Sequence, residues 1–344
     1  MTSTKSSKEL PPNLEPFFPN QFIKNQFRTK AHPTPKTTNL NGQVAIVTGS
    51  NTGLGLACAG QLLSHKLSHL IMAVRSLDKG EHAAAPLRTK YPSAKIDVWQ
   101  LDMTSYSSVQ AFAARVEKDL TRLDVAVLNA GIGFQPFKIV VSTGHEQTVQ
   151  VNYLSTILLG ILLLPSLSTK SPVGTPGRLT ISTAMLSATA KFPNKNADPL
   201  LPSFNDESIF DMSDMYATSK LLGQLALWKL SDVVSADRVV INMVEPGFIK
   251  GTDLHRERPG GVKVLLGLFK AASARSVEVG ATAYVDAAVV KGPESHGCIL
   301  GNWEIEPYAP FEYTPEGKTV MDRLWKETLV EFQFANAEQI LASL

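Results

Sequence analysis

The chain has 344 residues, and its 33 Lys and Arg nearly balance its 31 Asp and Glu. This length suits one large domain or two small ones. Because no dense basic run is present, we expect no nucleic-acid partner. Cys58 and Cys298 are too few for a disulfide framework or a Cys-rich zinc site. We therefore predict no metal site and a reducing, cytoplasmic location.

The N-terminal region predicts neither secretion nor membrane insertion. The opening MTSTKSSKELPPN is polar and lacks the apolar run of a signal peptide. The most apolar stretch, residues 157–167, is too short to span a bilayer and predicts a buried helix. Residues 1–41 are rich in Pro, Asn, Lys and Thr. They predict an N-terminal arm that wraps the domain or stays mobile.

Regular alternation of strand and helix patterns begins near residue 42. The apolar runs QVAIVT, HLIMAV, KIDVWQL, DVAVLNA, RLTIS and RVVINMV are typical of buried strands. Helical patterns such as SSVQAFAARVEKDL lie between them, and this alternation predicts a parallel sheet covered on both faces. We predict an α/β fold: a single Rossmann-like, doubly wound domain over residues 42–344, with a mostly parallel sheet of about seven strands.

A long Pro-rich segment, KFPNKNADPLLPSFNDESIFDMSD, follows the RLTIS strand. Loops of this length in compact domains are often functional. It lies beyond the carboxyl end of a strand, where ligands bind in open α/β sheets. We therefore predict a substrate-loop insertion at about residues 185–214. Its apolar residues Met185, Phe192 and Phe210 are candidates for lining the pocket.

The stretch VAIVTGSNTGLGLACAG places Gly49, Gly53 and Gly55 between a predicted strand and a predicted helix. A tight turn there needs a residue without Cβ, and the backbone must approach a pyrophosphate closely. The start of the helix then offers free N–H groups and a positive dipole end to the phosphates. Three glycines can also simply build a turn, but with the flanking strand and helix they predict dinucleotide binding.

The end of the next strand, HLIMAVRS, indicates which dinucleotide binds. An acidic residue there would bind the ribose 2′-hydroxyl of NAD. Val74 and Arg75 occupy this region instead. An arginine can pair with a 2′-phosphate and stack on adenine. We therefore predict NADP, although Arg75 could also be an ordinary solvated side chain.

These motifs, together with five others in the same order, resemble the short-chain dehydrogenase/reductase family over roughly residues 40–335. The others are LDMTS, LNAG, VNYL and YATSK, followed by EPGFIKGT. The N-terminal arm, AVRSLDKGE and the GNWEIEPYAPFEYTPEG ending resemble a fungal branch of that family, many of whose members serve secondary-metabolite pathways. The resemblance implies that the nucleotide is held by Arg75 and by Gly49, Ser50, Gly53, Leu54, Gly55, Asp102, Asn129, Ala130, Gly131, Tyr216, Lys220, Ile249 and Thr252.

The catalytic residues implied by the family are Asn152, Tyr216 and Lys220. MYATSKLLGQLALWKL is strongly helical, so the spacing of four places Tyr216 and Lys220 on one face. An ammonium beside a phenol lowers the pKa of the phenol, which predicts Tyr216 as a general acid. In the family the lysine also binds the nicotinamide ribose, and the asparagine holds a water in a proton relay. A second match, Tyr91 and Lys95 in KYPSAK, precedes a strand and is predicted to be a decoy.

The family's serine, which grips the substrate carbonyl, has no counterpart in this chain. Counted without a gap from Arg178, its position is Ala184. Strand alternation places Ser182 on the same face as Ala184 and Thr183 on the opposite face. A one-residue bulge would bring Thr183 into the site, and we take Thr183 as the candidate substitute. Ser182, and Ser187 returning from the following loop, are the alternatives. Loss of such a donor costs about 3 kcal/mol, or a hundredfold in rate.

Three functions compete. The first is an NADPH-dependent oxidoreductase, a carbonyl reductase or alcohol dehydrogenase, acting on a small apolar natural product. The second is non-redox chemistry, such as isomerisation or cyclisation, with the nucleotide retained. The third is a nucleotide-sensing regulator, which has no need of Asn152, Tyr216 and Lys220. The sequence determines neither the substrate nor the redox direction. The resemblance to the family also implies a homodimer as the candidate assembly. No membrane partner is expected.

Overall fold

The computed structural model describes residues 5–251 and 273–344. Its strands are β1 Val44–Thr48, β2 His69–Val74, β3 Lys95–Gln100, β4 Val125–Leu128, β5 Gly177–Ser182, β6 Val239–Glu245, β7 Cys298–Gly301 and β8 Glu304–Glu306. In these residues they form one eight-stranded sheet in the order β3-β2-β1-β4-β5-β6-β7-β8. Strands β1 to β7 are parallel, and β8 pairs antiparallel with β7 at the edge. The predicted α/β fold with a mostly parallel sheet is confirmed.

Helices cover both faces of this sheet. They are α1 Gly53–Ser64, α2 Leu77–Lys90, α3 Tyr106–Asp119, α4 Gln147–Val149, α5 Ser155–Thr169, α6 Leu200–Ser203, α7 Met212–Val233, α8 Val277–Val285, α9 Pro315–Glu331 and α10 Ala337–Ala342. Successive strand residues point to opposite faces, so Ile46 joins one core while Ala45 and Val47 join the other. The first core packs against α3, α5, α7 and α9, and the second against α1 and α8. This two-sided burial explains the continuous apolar strand sequences.

The apolar stretch at residues 157–167 lies in α5, as predicted for a buried helix. A π-helical turn, Gln150–Leu154, joins α4 to α5. The segment Gln147–Thr169 is long and apolar enough to cross a membrane, but 83% of an 18-residue apolar stretch within it is buried inside the domain. That burial is what the core helix of a globular protein requires.

The described part of the N-terminal arm wraps the domain. Near its start, the Ser7 hydroxyl accepts a hydrogen bond from the N–H of Ile299 at 2.9 Å and donates one to the carbonyl of Glu306. Two π-helical turns follow at Phe17–Gln21 and Lys24–Arg28. The Phe22 ring then contacts Phe248, with 5.8 Å between ring centroids. The arm thus runs from the β7–β8 edge to the segment that follows β6.

The predicted insertion at about residues 185–214 is more regular than an open loop. It contains a 3₁₀ turn at Met185–Thr189, the helix α6 and a second 3₁₀ turn at Glu207–Ile209. The N–H groups at the start of α6 donate to the Glu327 carboxylate of α9 at 2.8 Å. The ring of Phe192 is buried and stacks on Phe204 at 5.8 Å. Most of this segment therefore packs against the domain.

Candidate active site

A cleft of about 630 Å³ lies at the carboxyl ends of the parallel strands. Residues at or just after the ends of β1, β2, β4, β5 and β6 line it. Strand order reverses between β1 and β4, because β2 and β3 extend to one side and β5 to β7 to the other. In open α/β sheets this switch point is where ligands bind. The sequence-predicted nucleotide and catalytic residues converge here.

The turn between β1 and α1 has the conformation that a phosphate-binding loop needs. Gly49 and Gly53 have φ values of +63° and +55°, in the left-handed region that disfavours a side chain. At Gly55 a Cβ would lie 2.5 Å from the Gly49 carbonyl oxygen, so only glycine fits. The side chain of Thr52 makes no capping hydrogen bond to the start of α1. The first N–H groups of the helix are therefore available to an anion.

Two predicted contacts in this loop do not reach the cleft. Ser50 is fully buried, and its hydroxyl has no hydrogen-bond partner among the described residues. Gly55 also lies behind the cleft wall, where it allows close packing of α1 on the loop. Both positions serve the turn itself, whereas Gly49, Gly53 and Leu54 line the cleft.

Arg75 lies at the far end of the nucleotide half of the cleft. It directly follows β2, is exposed, and forms no ion pair with any described residue. No acidic residue occupies the end of β2. Lys79, in the first turns of α2, lines the same region. Sequence reasoning missed Lys79, which lies one turn into the helix that follows Arg75. Together these cations fit a 2′-phosphate.

Two of the residues assigned to the adenosine side join the end of β4 to the end of β1 through hydrogen bonds. Asn129 donates from Nδ2 to the carbonyl of Thr48 at 2.9 Å, and the Ala130 N–H donates to the Thr48 hydroxyl at 2.9 Å. Asp102 accepts from the N–H and hydroxyl of Thr104 at 2.9 and 2.8 Å. Asp102, Asn129, Ala130 and Gly131 all line the cleft. Ile249 lines it as well, and Thr252 lies outside the described residues.

Helix α7 brings Tyr216 and Lys220 into the cleft together. Both side chains are buried, and Lys220 Nζ lies 5.9 Å from the centroid of the Tyr216 ring. The ring of Phe134 contacts Tyr216 on the other side, at 5.0 Å between centroids. The second sequence match does not form such a pair. Tyr91 follows the last residue of α2 and Lys95 begins β3.

The pKa values of the catalytic pair differ from the expectation. Burial lowers the pKa of Lys220 to about 8. Burial, and to a lesser degree the negative charge of Glu245, raises the pKa of Tyr216 above its usual value. The expectation that Lys220 lowers the pKa of Tyr216 is wrong for the protein chain alone. Desolvation of the phenolate is the larger cause of the raised pKa.

Asn152 sits in the π-helical turn before α5, which turns its side chain toward the catalytic helix. Its Oδ1 accepts from the N–H of Ile132 at 2.9 Å, and its Nδ2 donates to the Ile132 carbonyl and the Ser219 hydroxyl. A Cβ on Gly131 would lie 3.1 Å from Asn152 Oδ1 and 3.7 Å from Lys220 Nζ. The absence of a side chain at Gly131 therefore leaves Asn152 and Lys220 facing one small space.

The end of β5 alternates as the sequence predicts. The Ser182 hydroxyl points to Tyr284 of α8, 2.7 Å away, and the Thr183 hydroxyl accepts from Gln224 Nε2 at 3.1 Å on the opposite face. The Gln224 amide is itself oriented by the N–H of Ala309, which donates to its Oε1. Ser182, Thr183 and Ala184 all line the cleft. Ala184 brings no hydroxyl to it.

The N-terminal arm forms one wall of the cleft, and the sequence did not predict this position for it. Phe17, Phe18, Phe22, Asn25 and Gln26 line it. The Gln26 side chain donates to the Phe248 carbonyl at 2.9 Å and accepts from the Phe248 N–H at 3.0 Å. The aromatic stretch LEPFFPNQF was the only signal, because nothing local indicates where an arm docks.

Two further assignments change. Of the three insertion side chains considered for the pocket, Met185 lines the cleft, whereas Phe192 and Phe210 pack elsewhere. Glu245, directly before the PG motif, also lines the cleft and was not among the predicted residues. Within residues 5–251 and 273–344, no group of three or more His, Cys, Asp and Glu is arranged to hold a metal ion.

Comparison with known proteins agrees with this geometry. The family model for short chain dehydrogenase matches residues 43–176. The chain is 56% identical over 339 residues to short chain dehydrogenase/reductase mfmJ of Annulohypoxylon moriforme, with 98% of each chain covered. It is 44% identical over 323 residues to short chain dehydrogenase virL of Hypocrea virens, with 94% of each covered.

Solved structures share the fold at much lower identity. L-sorbose reductase of Gluconobacter frateurii, complexed with NADPH and L-sorbose, superposes with a TM-score of 0.57 at 20% identity, over 76% of this chain and 95% of that one. A short-chain dehydrogenase of Sphingobium yanoikuyae in complex with NADPH gives a TM-score of 0.54 at 18% identity, over 71% and 83%. From the fold, the motifs and the identity to its relatives, the chain belongs to the short-chain dehydrogenase/reductase family.

Proposed function

We propose that the chain is an NADPH-dependent carbonyl reductase, or in reverse an alcohol dehydrogenase, acting on a small apolar natural product in a fungal secondary-metabolite pathway. The observation that carries this proposal is that Tyr216 and Lys220 line the same cleft as the phosphate-binding loop. A proton donor and a dinucleotide site in one cavity are what hydride transfer to a carbonyl requires.

The residues present fit NADP. Gly49, Gly53 and the free start of α1 would hold the pyrophosphate, and Arg75 with Lys79 would hold the 2′-phosphate. The solved neighbours named above, which were determined with NADPH, support this choice. When bound, the nicotinamide supplies or accepts the hydride.

The chain's own residues manage the proton and the orientation of the substrate. Tyr216 Oη donates the proton to the carbonyl oxygen as it becomes an alcohol. Lys220, whose Nζ donates to the Ser182 carbonyl at 3.0 Å, keeps a positive charge next to Tyr216. Asn152 faces the same small space as Lys220. It is proposed to position the water of the proton relay, which resupplies the proton that Tyr216 donates.

Thr183 is proposed as the second donor to the substrate carbonyl. Gln224 uses an N–H to bind the Thr183 oxygen, which leaves the hydroxyl hydrogen of Thr183 for another acceptor. Ser182 remains the alternative, although its hydroxyl already pairs with Tyr284. The hydroxyl of Thr183 or Ser182 would then bind the substrate carbonyl in place of the hydroxyl that Ala184 lacks.

Non-redox chemistry is the second candidate, and Ala184 is the observation that favours it. Without the usual hydroxyl, the cleft could bind the nucleotide and isomerise or cyclise a substrate instead. A sensing role without catalysis is disfavoured, because Tyr216 and Lys220 are both buried in the cleft at an energetic cost that a sensor need not meet.

The deciding experiment follows NADPH absorbance and product mass together, with a panel of apolar ketones. Stoichiometric NADPH consumption with a mass gain of two hydrogens supports the reductase. A product of unchanged mass, formed with no NADPH consumed, would favour the non-redox alternative. Tyr216→Phe in the same assay tests whether the proton comes from Tyr216.

We also propose a homodimer and a cytoplasmic location, with neither membrane nor nucleic acid as partner. The apolar helix α5 is covered by its own chain, so the dimer contact must use another surface. Light scattering after size exclusion measures the oligomeric state, and a monomer at all concentrations would contradict the dimer.

A further inference from the structure

Glu245 is a buried acid in the cleft that the proposed mechanism leaves without a role. It is the last residue of β6 and is only 6% exposed. It lines the cleft together with Tyr216 and Ala184. Its negative charge also raises the pKa of Tyr216.

One carboxylate oxygen has a structural partner and the other has none. Oε1 accepts a hydrogen bond from the N–H of Gly247 at 2.9 Å and so fixes the Pro246–Gly247 turn. Oε2 is buried and has no partner with hydrogen-bond geometry among the described residues, although the nearby Met185 N–H also lowers the pKa of the carboxyl. A buried oxygen without a partner destabilises the fold unless a ligand satisfies it. The turn therefore accounts for only half of the carboxylate.

The strand pairing places the backbone of Glu245 beside that of Thr183. Ser182 of β5 pairs with Val244 of β6, and the Thr183 N–H donates to the Val244 carbonyl at 2.9 Å. Thr183, the residue after β5, and Glu245, the last residue of β6, therefore lie side by side, with their backbones about 5 Å apart. If Thr183 binds the reacting carbonyl, Glu245 is next to that carbonyl.

We propose that Glu245 binds, through Oε2, a hydroxyl group on the carbon next to the reacting carbonyl, so that the substrate class is an α-hydroxy ketone. This inference rests on the proposed carbonyl chemistry of the cleft. It adds a second polar contact for the substrate in a cavity that is otherwise largely apolar. Two neighbouring oxygens would then be recognised by two neighbouring strand ends.

The ionisation of Glu245 gives the proposal a pH signature. Burial raises its pKa to about 7, against the opposing effects of the Gly247 N–H and the Arg275 charge. The other described titratable groups that act on it or are acted on by it are Glu306, Tyr216 and Tyr284. A carboxylate accepts a stronger hydrogen bond from a hydroxyl than the neutral acid does. Affinity for a hydroxyl-bearing ligand should therefore rise as pH increases through this range.

Two probes of matched shape test the contact. α-Hydroxyacetophenone and propiophenone differ by a hydroxyl in place of a methyl group. Calorimetric titration of each into the NADP⁺-saturated enzyme, with absorbance confirming that no NADPH forms, gives their affinities. We expect the parent to prefer the hydroxyl probe about tenfold near pH 8, and less near pH 6.

Glu245→Gln should retain the acceptor for Gly247 and remain folded, but lose the pH dependence of this preference. The control Glu338→Gln removes an exposed acid of α10, outside the cleft, and should leave the preference and its pH dependence unchanged. Equal affinities in the parent at both pH values, no binding of either probe, or an unchanged preference in Glu245→Gln would overturn the proposal. NADPH consumption is measured separately, so a chain that reduces ketones but ignores the hydroxyl refutes only this inference.

Discussion

Lys220 Nζ donates a hydrogen bond to the main-chain carbonyl of Ser182 at 3.0 Å, and thereby joins the catalytic helix α7 to the end of β5. The bond fixes Lys220 between the proton donor, Tyr216, and the strand end where the substrate carbonyl is proposed to bind. Because burial lowers the pKa of Lys220 to about 8, part of its charge is lost just above neutral pH. The structural link remains, since a neutral amine still donates.

Replacing the catalytic pair should separate proton transfer from nucleotide binding. Tyr216→Phe removes only the hydroxyl and should abolish nearly all turnover while leaving NADPH affinity close to that of the parent. Lys220→Ala should weaken both, because Lys220 is proposed to contact the nucleotide as well. Tyr91→Phe is the matched control, since Tyr91 lies outside the cleft. Full turnover by Tyr216→Phe would refute the proposed role.

The pKa of Lys220 also predicts how stability depends on pH. The folded state holds the lysine pKa near 8, below its usual 10.5, so the unfolded chain binds the proton more tightly between these values. Stability contributed through this group therefore increases as pH rises from about 8 to about 10.5. Lys220→Met lacks the buried ammonium, and its melting temperature relative to the parent should fall by a few degrees over this range. A constant difference would show that Lys220 does not titrate there.

The substitute for the missing hydroxyl can be identified by mutation. Thr183→Val keeps the shape of the side chain and should reduce turnover about a hundredfold if Thr183 binds the reacting oxygen. Ser182→Ala should then have a smaller effect, and the reverse order would assign the role to Ser182. Ala184→Ser restores the hydroxyl of the family and should be tolerated, with an equal or higher rate. These rates come from the NADPH absorbance assay.

Cofactor preference should depend on Arg75. NADPH is expected to bind more tightly than NADH, and Arg75→Ala should narrow the difference, because the guanidinium forms an ion pair with the 2′-phosphate, which NADH lacks. Lys79→Ala should act in the same direction. Arg238→Ala, an exposed cation at the amino end of β6, serves as the control. Fluorescence titration measures the affinities of the parent and the three variants for both nucleotides, and equal binding of NADPH and NADH by the parent would contradict the assignment.

Two parts of the N-terminal arm should differ in their effect on nucleotide binding and on the stability of the domain. Deleting residues 1–12 removes the Ser7 contacts at the β7–β8 edge but should leave nucleotide binding intact. Deleting residues 1–40 also removes Phe22 and Gln26 from the cleft wall, and should expose apolar surface and lower the melting temperature. An unchanged melting curve for the longer deletion would mean that the arm does not stabilise the domain.

Much of the fold and the site follows from local sequence. The continuous apolar strands and the helices between them determine a sheet that is buried on both faces. The seven parallel strands of the structure agree with this prediction. Gly49, Gly53 and Gly55 are required by the backbone of a single turn. The spacing of Tyr216 and Lys220 suffices on a helix, and Pro92 is enough to reject Tyr91 and Lys95. In each case the relevant neighbours lie within a few residues.

What only the tertiary structure decided depends on contacts between distant segments. Phe22 meets Phe248, and Gln224 meets Thr183, through packing that no local period encodes. The pKa of Tyr216 follows from desolvation by surrounding elements, which a helical spacing cannot describe. Glu245 is an ordinary strand-end residue in sequence. Its buried, half-satisfied carboxylate exists only because β5, β6 and the turn after β6 close around it.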